Sequence, residues 1–570
     1  MTAQQQTTAV ARVRAAYARI AETDRPEIWI TLRPQDQAEA EARQVDARAA
    51  AGQPLPLAGT VFAVKGNIDV AGLPTTAGCP SYAYEPKADA PAVARLRAAG
   101  AVVLGSTNLD QFATGLVGTR SPYGAVRSVY DRDRVSGGSS SGSAVAVALG
   151  VADFALGTDT AGSGRIPAAF NGIVGIKPTR GLIPTTGVVP ACASVDCVTV
   201  FAPTVPQAER VFGIMAAGSR HPDPADGRVQ AGARARRPGP WRVAVPTTGQ
   251  LGEMDPGWAE AFEAAVDRLT RAGADLRTID LTPFSQAAEL LYEGAFVAER
   301  YTAVGAFIEE HAGSADLDPT VARIITAARD IPAHRLFADQ DRLAALRAHA
   351  MAQLADADAL LLPTAPGHPA LAEVAADPIG ANTRLGRFTN STNLLGMCAI
   401  AVPAGHVGGL PFGVMLIAPA FTDDRAASIA RLLTPTVQLA VAGAHLSGQP
   451  LNYQLRALGA RLTATTATAP AYRLYALDTA PRKPGLVRVP EDGAPIEVEV
   501  WELPVEGLGA LVASLPAPMA IGGIDLADGS RLPGFLCEPV AVNAAVDITS
   551  YRGWRAYLQD GRGGAQPMTD

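Results

Sequence analysis

The sequence predicts an α/β protein in which helices cover both faces of a central β-sheet, followed by a small α+β domain. Three observations support this prediction. The chain has 570 residues, more than a single hydrophobic core usually supports. Short apolar segments alternate with amphipathic segments over about the first 435 residues, as they do in sheets covered by helices. The composition then becomes rich in Thr and Ala at residues 461–470, which is typical of a linker.

Six strands are predicted from short apolar runs, and five helices from longer segments with apolar residues at helical spacing. The strands are Val61–Val64, Ala101–Leu104, Phe154–Leu156, Arg242–Val245, Ala359–Leu362 and Ala399–Val402. The helices are Ala9–Ala21, Gln37–Ala50, Ala92–Ala99, Gly257–Ala272 and Arg335–Leu354. A further helix is expected over Ser141–Leu149, directly after a Gly/Ser-rich turn, so that its first amides face a ligand.

The C-terminal part of the chain has a different pattern. Residues Ile496–Trp501 alternate apolar and polar side chains, as a strand with one solvated face does. We therefore expect three segments: a large first domain over residues 1–435, a linker over residues 436–470 and a small α+β domain over residues 471–570.

The composition excludes several classes of protein. With 48% hydrophobic and 18% charged residues, the chain is typical of globular rather than disordered or fibrous proteins. The net charge of −7 and the lack of a Lys/Arg-rich stripe predict that it binds no nucleic acid. Without a long apolar run, we expect a cytoplasmic protein that binds no membrane. The five cysteines include no CxxC pair, which predicts reduced thiols and no metal site.

Two Gly-rich turns each carry a serine, and a lysine lies upstream of them. Ser139 lies in residues 137–142 (GGSSSG), Ser163 lies in residues 157–165 (GTDTAGSGR), and Lys65 ends a predicted strand. A Gly/Ser run is most often a flexible linker, but this one lies within a compact alternation of strands and helices. Cleavage of an amide needs a nucleophile, a proton acceptor and oxyanion donors, and these residues supply all three without a cofactor.

These residues resemble those of the amidase signature family, whose hallmark is a Ser, cis-Ser, Lys triad. Ser139 follows Lys65 by 74 positions, and Ser163 follows Ser139 by 24, as the family pattern requires. The resemblance covers most of residues 20–435. It implies the amidase-signature fold, with a mixed central sheet, for the catalytic domain. It also implies that Ser163 is the nucleophile, that Ser139 is the bridging serine after a cis peptide bond, and that Lys65 is the base.

The implied mechanism places physical demands on this site. Lys65 accepts a proton only when it is neutral, so burial must lower its pKa, and Ser139 then relays the proton from Ser163. The oxyanion hole is expected to consist of four consecutive backbone amides, which belong to Thr160, Ala161, Gly162 and Ser163.

The charged and polar neighbours of these turns are expected to have structural roles. Asp159 and Arg165 flank the second turn, and we interpret them as a brace for the loop. Asn108 and Asp110 are assigned a scaffolding role in the same way.

A second set of residues concerns the substrate. Tyr292 and Arg300 lie eight positions apart in a segment of helical character, close to two helical turns, so both can project from one face. An Arg and a Tyr on a helix are more often part of a solvated face. The segment, however, resembles the allophanate hydrolase subgroup, in which the matching Tyr and Arg hold the substrate carboxylate. The resemblance also places the backbone of Gly115 in the pocket, although a turn glycine is an equal alternative.

The resemblance implies hydrolysis of allophanate by Ser163, with release of ammonia and of N-carboxycarbamate, which decays to ammonia and carbon dioxide. The alternatives are an amidase for another amide and the amidase subunit of an amidotransferase. Expected associations are a homodimer and a pathway partner, either urea carboxylase or biuret hydrolase. The C-terminal unit also resembles the extra domain of this subgroup. Because no histidine follows His445, we expect an assembly or stabilising role rather than a decarboxylase there.

Overall fold

The chain folds into two units that divide between Thr434 and Pro435. The computed structural model describes residues 8–217, 239–434, 436–458, 460–543 and 545–560.

A mixed sheet of eleven strands forms the centre of the first unit. In chain order its strands are β1 (Trp29–Leu32), β2 (Val61–Lys65), β3 (Val102–Thr107), β4 (Phe154–Asp159), β5 (Val174–Lys177), β6 (Cys197–Ala202), β7 (Arg242–Pro246), β8 (Asp275–Ile279), β9 (Ala359–Pro363), β10 (Cys398–Val407) and β11 (Leu410–Ala418). Their spatial order is β1-β3-β2-β4-β6-β5-β10-β11-β9-β7-β8. Strand β2 is parallel to β3 and β4, and β7 is parallel to β8 and β9, whereas the other neighbours are antiparallel.

The helices of the first unit surround this sheet. They are α1 (Ala9–Thr23), α2 (Gln35–Ala50), α3 (Pro91–Ala98), α4 (Ser141–Ala148), α5 (Ile166–Phe170), α6 (Val205–Ala216), α7 (Trp258–Arg271), α8 (Thr282–Glu289), α9 (Ala298–Glu310), α10 (Pro319–Thr326), α11 (Ala333–Leu354), α12 (Leu371–Ala376), α13 (Gly380–Leu385), α14 (Asn390–Leu394) and α15 (Asp423–Ala430). All six predicted strands and all six predicted helices are present. The prediction of a large mixed sheet with helices is therefore confirmed.

The burial of the central strands explains why they read as continuous apolar runs. Every residue of β2, β3 and β4 is buried, because helices leave neither face of these strands to solvent. Phe62 and Phe154 stack across the β2–β4 pair with their ring centroids 5.1 Å apart. This rigid centre carries the turns that follow β2 and β4.

The second unit is a small α+β domain with two separate sheets. Its strands are β12 (Thr436–Val441), β13 (Arg461–Ala467), β14 (Tyr472–Leu477), β15 (Lys483–Arg488), β16 (Glu497–Pro504), β17 (Met519–Asp525), β18 (Arg531–Cys537) and β19 (Val546–Asp547), and its helices are α16 (Asn452–Ala457), α17 (Val505–Ala513) and α18 (Trp554–Gln559). Five strands form one sheet, in the order β13-β16-β12-β18-β17, and three form the other, in the order β15-β14-β19.

The prediction of a linker over residues 436–470 is wrong. Strands β12 and β13 lie within it, and both pair with β16 in the five-stranded sheet. The Thr-rich composition that suggested a linker also suits a strand, because β-branched threonine fits an extended, half-buried backbone. His445 consequently belongs to this unit. Its ring stacks on Phe535 with centroids 4.5 Å apart, and its Nε2 lies 2.9 Å from Gln454 Oε1.

Candidate active site

The predicted triad lies at one edge of the central sheet. Lys65 is the last residue of β2, and Ser163 lies in the turn that follows the neighbouring parallel strand β4. Ser139 lies just before α4. Because the carboxyl ends of parallel strands meet at the same edge of a sheet, the fold brings these distant parts of the sequence together.

The three side chains form a continuous hydrogen-bonded chain. Lys65 Nζ lies 2.8 Å from Ser139 Oγ, and Ser139 Oγ lies 3.0 Å from Ser163 Oγ. The peptide bond between Gly138 and Ser139 is cis, as the resemblance implied. All three side chains are buried, with Ser163 only 2% exposed. This arrangement allows a proton to pass from Ser163 through Ser139 to an unprotonated Lys65.

The surroundings of Lys65 favour its neutral form. Burial lowers the pKa of Lys65 to about 7, although the carboxylates of Asp110, Asp196 and Asp159 oppose this shift. The Nζ atom also donates to Thr158 Oγ1 at 2.7 Å. A neutral amine has one lone pair, and this bond to Thr158 helps to direct that lone pair towards Ser139.

Thr158 was not singled out in the sequence, although the predicted strands contained the signal. The pairing of β2 with β4 places Val64 beside Leu156. A side chain shortly after Leu156 therefore comes within reach of Lys65.

The turn that carries Ser163 is held by an ion pair, as predicted. Arg165 donates from Nε and Nη2 to the two oxygens of Asp159, each at 2.9 Å, and both side chains are fully buried. Burial raises the pKa of Asp159, but the charge and hydrogen bonds of Arg165, the charge of Lys177 and the amide of Gly164 together outweigh this effect and the net shift is downward. The paired, hydrogen-bonded charges fix the shape of the turn.

The expectation of four available backbone amides is not met at Gly162. The amide of Gly162 already donates to Asp159 Oδ1 at 2.9 Å, so its single hydrogen is not available to a ligand. Within the described part of the chain, the amides of Thr160, Ala161 and Ser163 have no acceptor in hydrogen-bonding distance. Gly162 instead has a steric role: its φ is +127°, and a Cβ atom there would lie 2.4 Å from Thr389 Oγ1.

The predicted scaffolding residues brace the loop that contains Gly115. Asp110 accepts hydrogen bonds from the amides of Val117, Gly118 and Arg120 at 2.9 to 3.2 Å. A Cβ atom at Gly115 would lie 2.5 Å from Asp110 Oδ2, so the contact with this carboxylate requires glycine. Asn108 donates from Nδ2 to the carbonyl groups of residues 27 and 124 at 3.0 and 2.9 Å.

Tyr292 and Arg300 meet, but not in the predicted way. A turn and a short 3₁₀ helix, Ala295–Val297, separate them, and α9 begins only at Ala298. The prediction of one continuous helical face is therefore wrong. The folded turn still brings Arg300 Nη2 to 3.2 Å from the Tyr292 hydroxyl, with the guanidinium carbon 5.0 Å from the centroid of the ring.

Arg300 is a buried cation with free hydrogen-bond donors. Its residue is 1% exposed, and its Nε and Nη1 atoms find no hydrogen-bond partner among the described residues. Burial lowers the pKa of Arg300, but the neighbouring Tyr292, Cys192 and Asp196 raise it and the net shift is upward. A buried guanidinium with unused donors is suited to a ligand that carries a carboxylate.

Sequence reasoning also missed Asp196, a carboxylate that binds the turn carrying Ser163 and acts electrostatically on Arg300. Its Oδ1 accepts the hydroxyl group of Thr160 at 2.5 Å, and its charge acts on Arg300. The segment around it contained no motif that marked this carboxylate as part of the site.

The described residues contain neither a cluster of metal ligands nor a candidate membrane span. No group of three or more His, Cys, Asp or Glu side chains is arranged to hold a metal ion. None of the described helices combines the length and apolar character needed to cross a membrane.

Comparison with known proteins agrees with the division into two units. Residues 11–426 match the family model described as Amidase, and residues 437–559 match the model described as Allophanate hydrolase C-terminal domain. A structure of Kluyveromyces lactis allophanate hydrolase superposes with a TM-score of 0.68 at 37% identity, covering 97% of each chain.

Two longer relatives match most of this chain. Urea amidolyase of Saccharomyces cerevisiae is 42% identical over 551 residues, which cover 89% of this chain, and the urea amidolyase of Lachancea kluyveri is 42% identical over 547 residues. This chain spans only 30% of the length of each of these two relatives. Matches to both domain models identify the chain as a member of the amidase family that carries an allophanate hydrolase C-terminal domain.

Proposed function

We propose that this chain hydrolyses allophanate, with Ser163 as the nucleophile, Ser139 as the bridging hydroxyl and Lys65 as the base. The observation that carries the proposal is the buried Arg300 guanidinium, with unused donors, in a site that also contains the Lys65–Ser139–Ser163 chain. Allophanate is a urea that carries a carboxylate. One part of it needs an amide-cleaving centre and the other needs a fixed cation.

In the proposed first step, Ser163 attacks the ureido carbonyl carbon. Its proton passes to Ser139 Oγ while the Ser139 proton passes to the neutral amine of Lys65. The bond to the terminal nitrogen then breaks as that nitrogen takes the proton back from Lys65 through Ser139, and ammonia leaves. The carbonyl oxygen develops negative charge, which the amides of Thr160, Ala161 and Ser163 are positioned to stabilise.

The second step removes the acyl group from Ser163. Water adds to the carbonyl carbon of the carboxylated carbamoyl enzyme, and the bond to Ser163 Oγ breaks as the serine recovers its proton. N-carboxycarbamate leaves, loses carbon dioxide, and the resulting carbamate gives ammonia and a second carbon dioxide.

Arg300 and Tyr292 are the proposed carboxylate ligands. One of the two unused donors of Arg300, Nε or Nη1, can pair with one carboxylate oxygen while the adjacent Nη2 pairs with the other, and Tyr292 holds the guanidinium through its hydroxyl and ring. Urea lacks the carboxylate, would leave Arg300 unpaired and should be a poor substrate. We also propose that the backbone of Gly115 borders the pocket.

The proposal extends to the role of the chain in metabolism. We place it in urea degradation, downstream of urea carboxylase, or alternatively downstream of biuret hydrolase. The urea amidolyase relatives support the first connection. We further propose a cytoplasmic homodimer, in which the C-terminal unit assembles or stabilises the protein. Sedimentation velocity of the full chain would measure the oligomeric state.

Ammonia release from four substrates tests the proposed function. Allophanate should react rapidly, whereas biuret and malonamide, which are neutral, and urea should react slowly. Ser163→Ala should lower kcat by about 10⁴-fold or more while leaving the circular dichroism spectrum unchanged. Faster turnover of a neutral amide than of allophanate would instead identify another amidase of the family.

A further inference from the structure

The Asp196 carboxylate joins two parts of the candidate active site. The residue is 4% exposed and lies directly before β6. Its Oδ1 accepts the Thr160 hydroxyl at 2.5 Å, and its Oδ2 accepts the amide of Ala191 at 2.9 Å. The amide of Cys192 lies 3.2 and 3.1 Å from the two oxygens. One carboxylate therefore fixes both the turn that carries Ser163 and the segment 191–192.

Asp196 also lies within electrostatic range of both cations of the site. Its charge acts on both Arg300 and Lys65. Arg300 forms no salt bridge among the described residues, and the adjacent Glu299 turns away to bind Ser194 through both oxygens. Asp196 is the carboxylate whose charge raises the pKa of Arg300.

We propose that Asp196 is a positioning residue: it holds the oxyanion turn through Thr160 and serves as the counter-charge of Arg300 until the substrate carboxylate takes that place. This inference rests on the proposed function, because it requires an anion at Arg300. An anion placed there also repels a charged Asp196. Anion binding therefore favours the protonated form of Asp196 and is accompanied by uptake of a proton.

The direction of the resulting pH dependence follows from these charges. Burial raises the pKa of Asp196 to about 6, against the hydrogen bonds from Thr160, Cys192 and Ala191 and the charge of Arg300. Below this pH Asp196 is neutral and an anion binds tightly. As the pH rises above about 6, Asp196 becomes charged and the anion binds more weakly. If the bound anion raises the pKa of Asp196 by one, the Kd increases tenfold in total.

Other titratable groups lie near Asp196, and their contributions to the pH dependence must be distinguished from its own. These are Lys65 from β2, Arg300 from α9, and the thiols of Cys192 and Cys197, whose pKa values burial raises. Arg300 and the thiols do not change charge between pH 5 and 8. Lys65 does, and its protonated form also attracts anions, so it has to be removed from the measurement.

The experiment measures binding of malonamate, the carbon analogue of allophanate, by calorimetry between pH 5 and 8. In Lys65→Met, which cannot turn the ligand over, we expect the Kd to rise about tenfold over this range. In Lys65→Met/Asp196→Asn the Kd should be nearly independent of pH. Equal pH dependence in both proteins would overturn the counter-charge role. Absence of malonamate binding to the unmodified enzyme at any pH would instead count against the proposed function.

A second variant tests the link to the oxyanion turn and does not require the Asp196 variant to fold. Thr160→Val removes the hydroxyl that Asp196 accepts, and we expect it to lower kcat for allophanate at least tenfold with little change in KM. Thr160→Ser retains the hydroxyl and is the matched control, and it should lose clearly less kcat than Thr160→Val. Unchanged kcat in Thr160→Val would overturn the positioning role.

Discussion

Replacement of Arg300 by methionine tests the carboxylate site most directly. Methionine is unbranched and suits a buried position, and its methyl group ends where Nε of arginine lies, so the variant removes the charge and the donors of the guanidinium but keeps the apolar part of the side chain. The effect should fall on substrates with a carboxylate and spare neutral amides. The substitution should disturb only the carboxylate site, because Arg300 contacts the Tyr292 hydroxyl and ring and forms no salt bridge among the described residues.

The expected magnitude follows from the burial of this side chain. At 1% exposure, the guanidinium and its ligand are shielded from solvent, and loss of one partner of such a pair costs about 2 to 5 kcal/mol. Since about 1.4 kcal/mol corresponds to a factor of ten, kcat/KM for allophanate should fall by roughly 30-fold to several thousand-fold. Tyr292→Phe removes only the hydrogen bond that the guanidinium donates at 3.2 Å, and a bond to a charged group contributes about 1.5 to 3 kcal/mol, or roughly 10- to 150-fold.

The assay is ammonia release with allophanate and malonamide on the same enzyme preparations. Arg300→Lys is a matched control that retains the charge but lacks the planar pair of donors, so its loss should lie between those of Tyr292→Phe and Arg300→Met. Equal kcat/KM for allophanate in Arg300→Met and the unmodified enzyme would refute the carboxylate role. Equal losses for allophanate and malonamide would point to damage of the whole site.

Two further predictions concern the base and the nucleophile turn. Burial lowers the pKa of Lys65 to about 7, and only the neutral amine accepts a proton. The kcat for allophanate, measured at saturating substrate so that the pH dependence of anion binding does not contribute, should therefore rise with pH through about 7 and then level off. A flat kcat profile between pH 6 and 8 would contradict the role of the lysine. Gly162→Ala should destabilise the protein by about 1 to 3 kcal/mol, because residue 162 has a positive φ and an added Cβ would collide with Thr389. Gly213→Ala on α6 is the control and should not have this effect, since a Cβ there meets nothing within 4 Å. Thermal unfolding compares the two variants, and equal melting temperatures would contradict the steric argument.

The triad could be predicted from the sequence because it depends on local motifs at fixed spacing. Lys65, Ser139 and Ser163 each lie at a strand end or in a Gly-rich turn, and such turns have few conformations. The way in which Tyr292 and Arg300 meet could not be predicted from a local motif, because a turn interrupts the helix that the periodicity predicted. Periodicity alone did not reveal the turn around Gly294, where a Cβ atom would lie 2.5 Å from the carbonyl oxygen of residue 290.

Residues whose partners are distant in the sequence were the ones missed. Asp196 is 36 positions from Thr160, and its importance comes from the hydrogen bonds it accepts rather than from a motif. The same applies to β12, whose partner strand β16 follows it by more than 50 residues. Pairing over such distances depends on the whole fold, and composition near residues 461–470 could not distinguish a linker from an edge strand.

Burial lowers the pKa of both basic side chains of this site, but only that of Lys65 falls close to neutrality, and this difference explains the separate roles proposed for them. Lys65 is fully buried and has an ordinary pKa close enough to neutrality for burial to make it a base at physiological pH. Arg300 is buried almost as completely, but a guanidinium stays charged because its ordinary pKa is far higher. Burial therefore suits the lysine at position 65 to accept a proton and leaves a permanent cation at position 300. Exchanging lysine and arginine between the two positions would remove both properties.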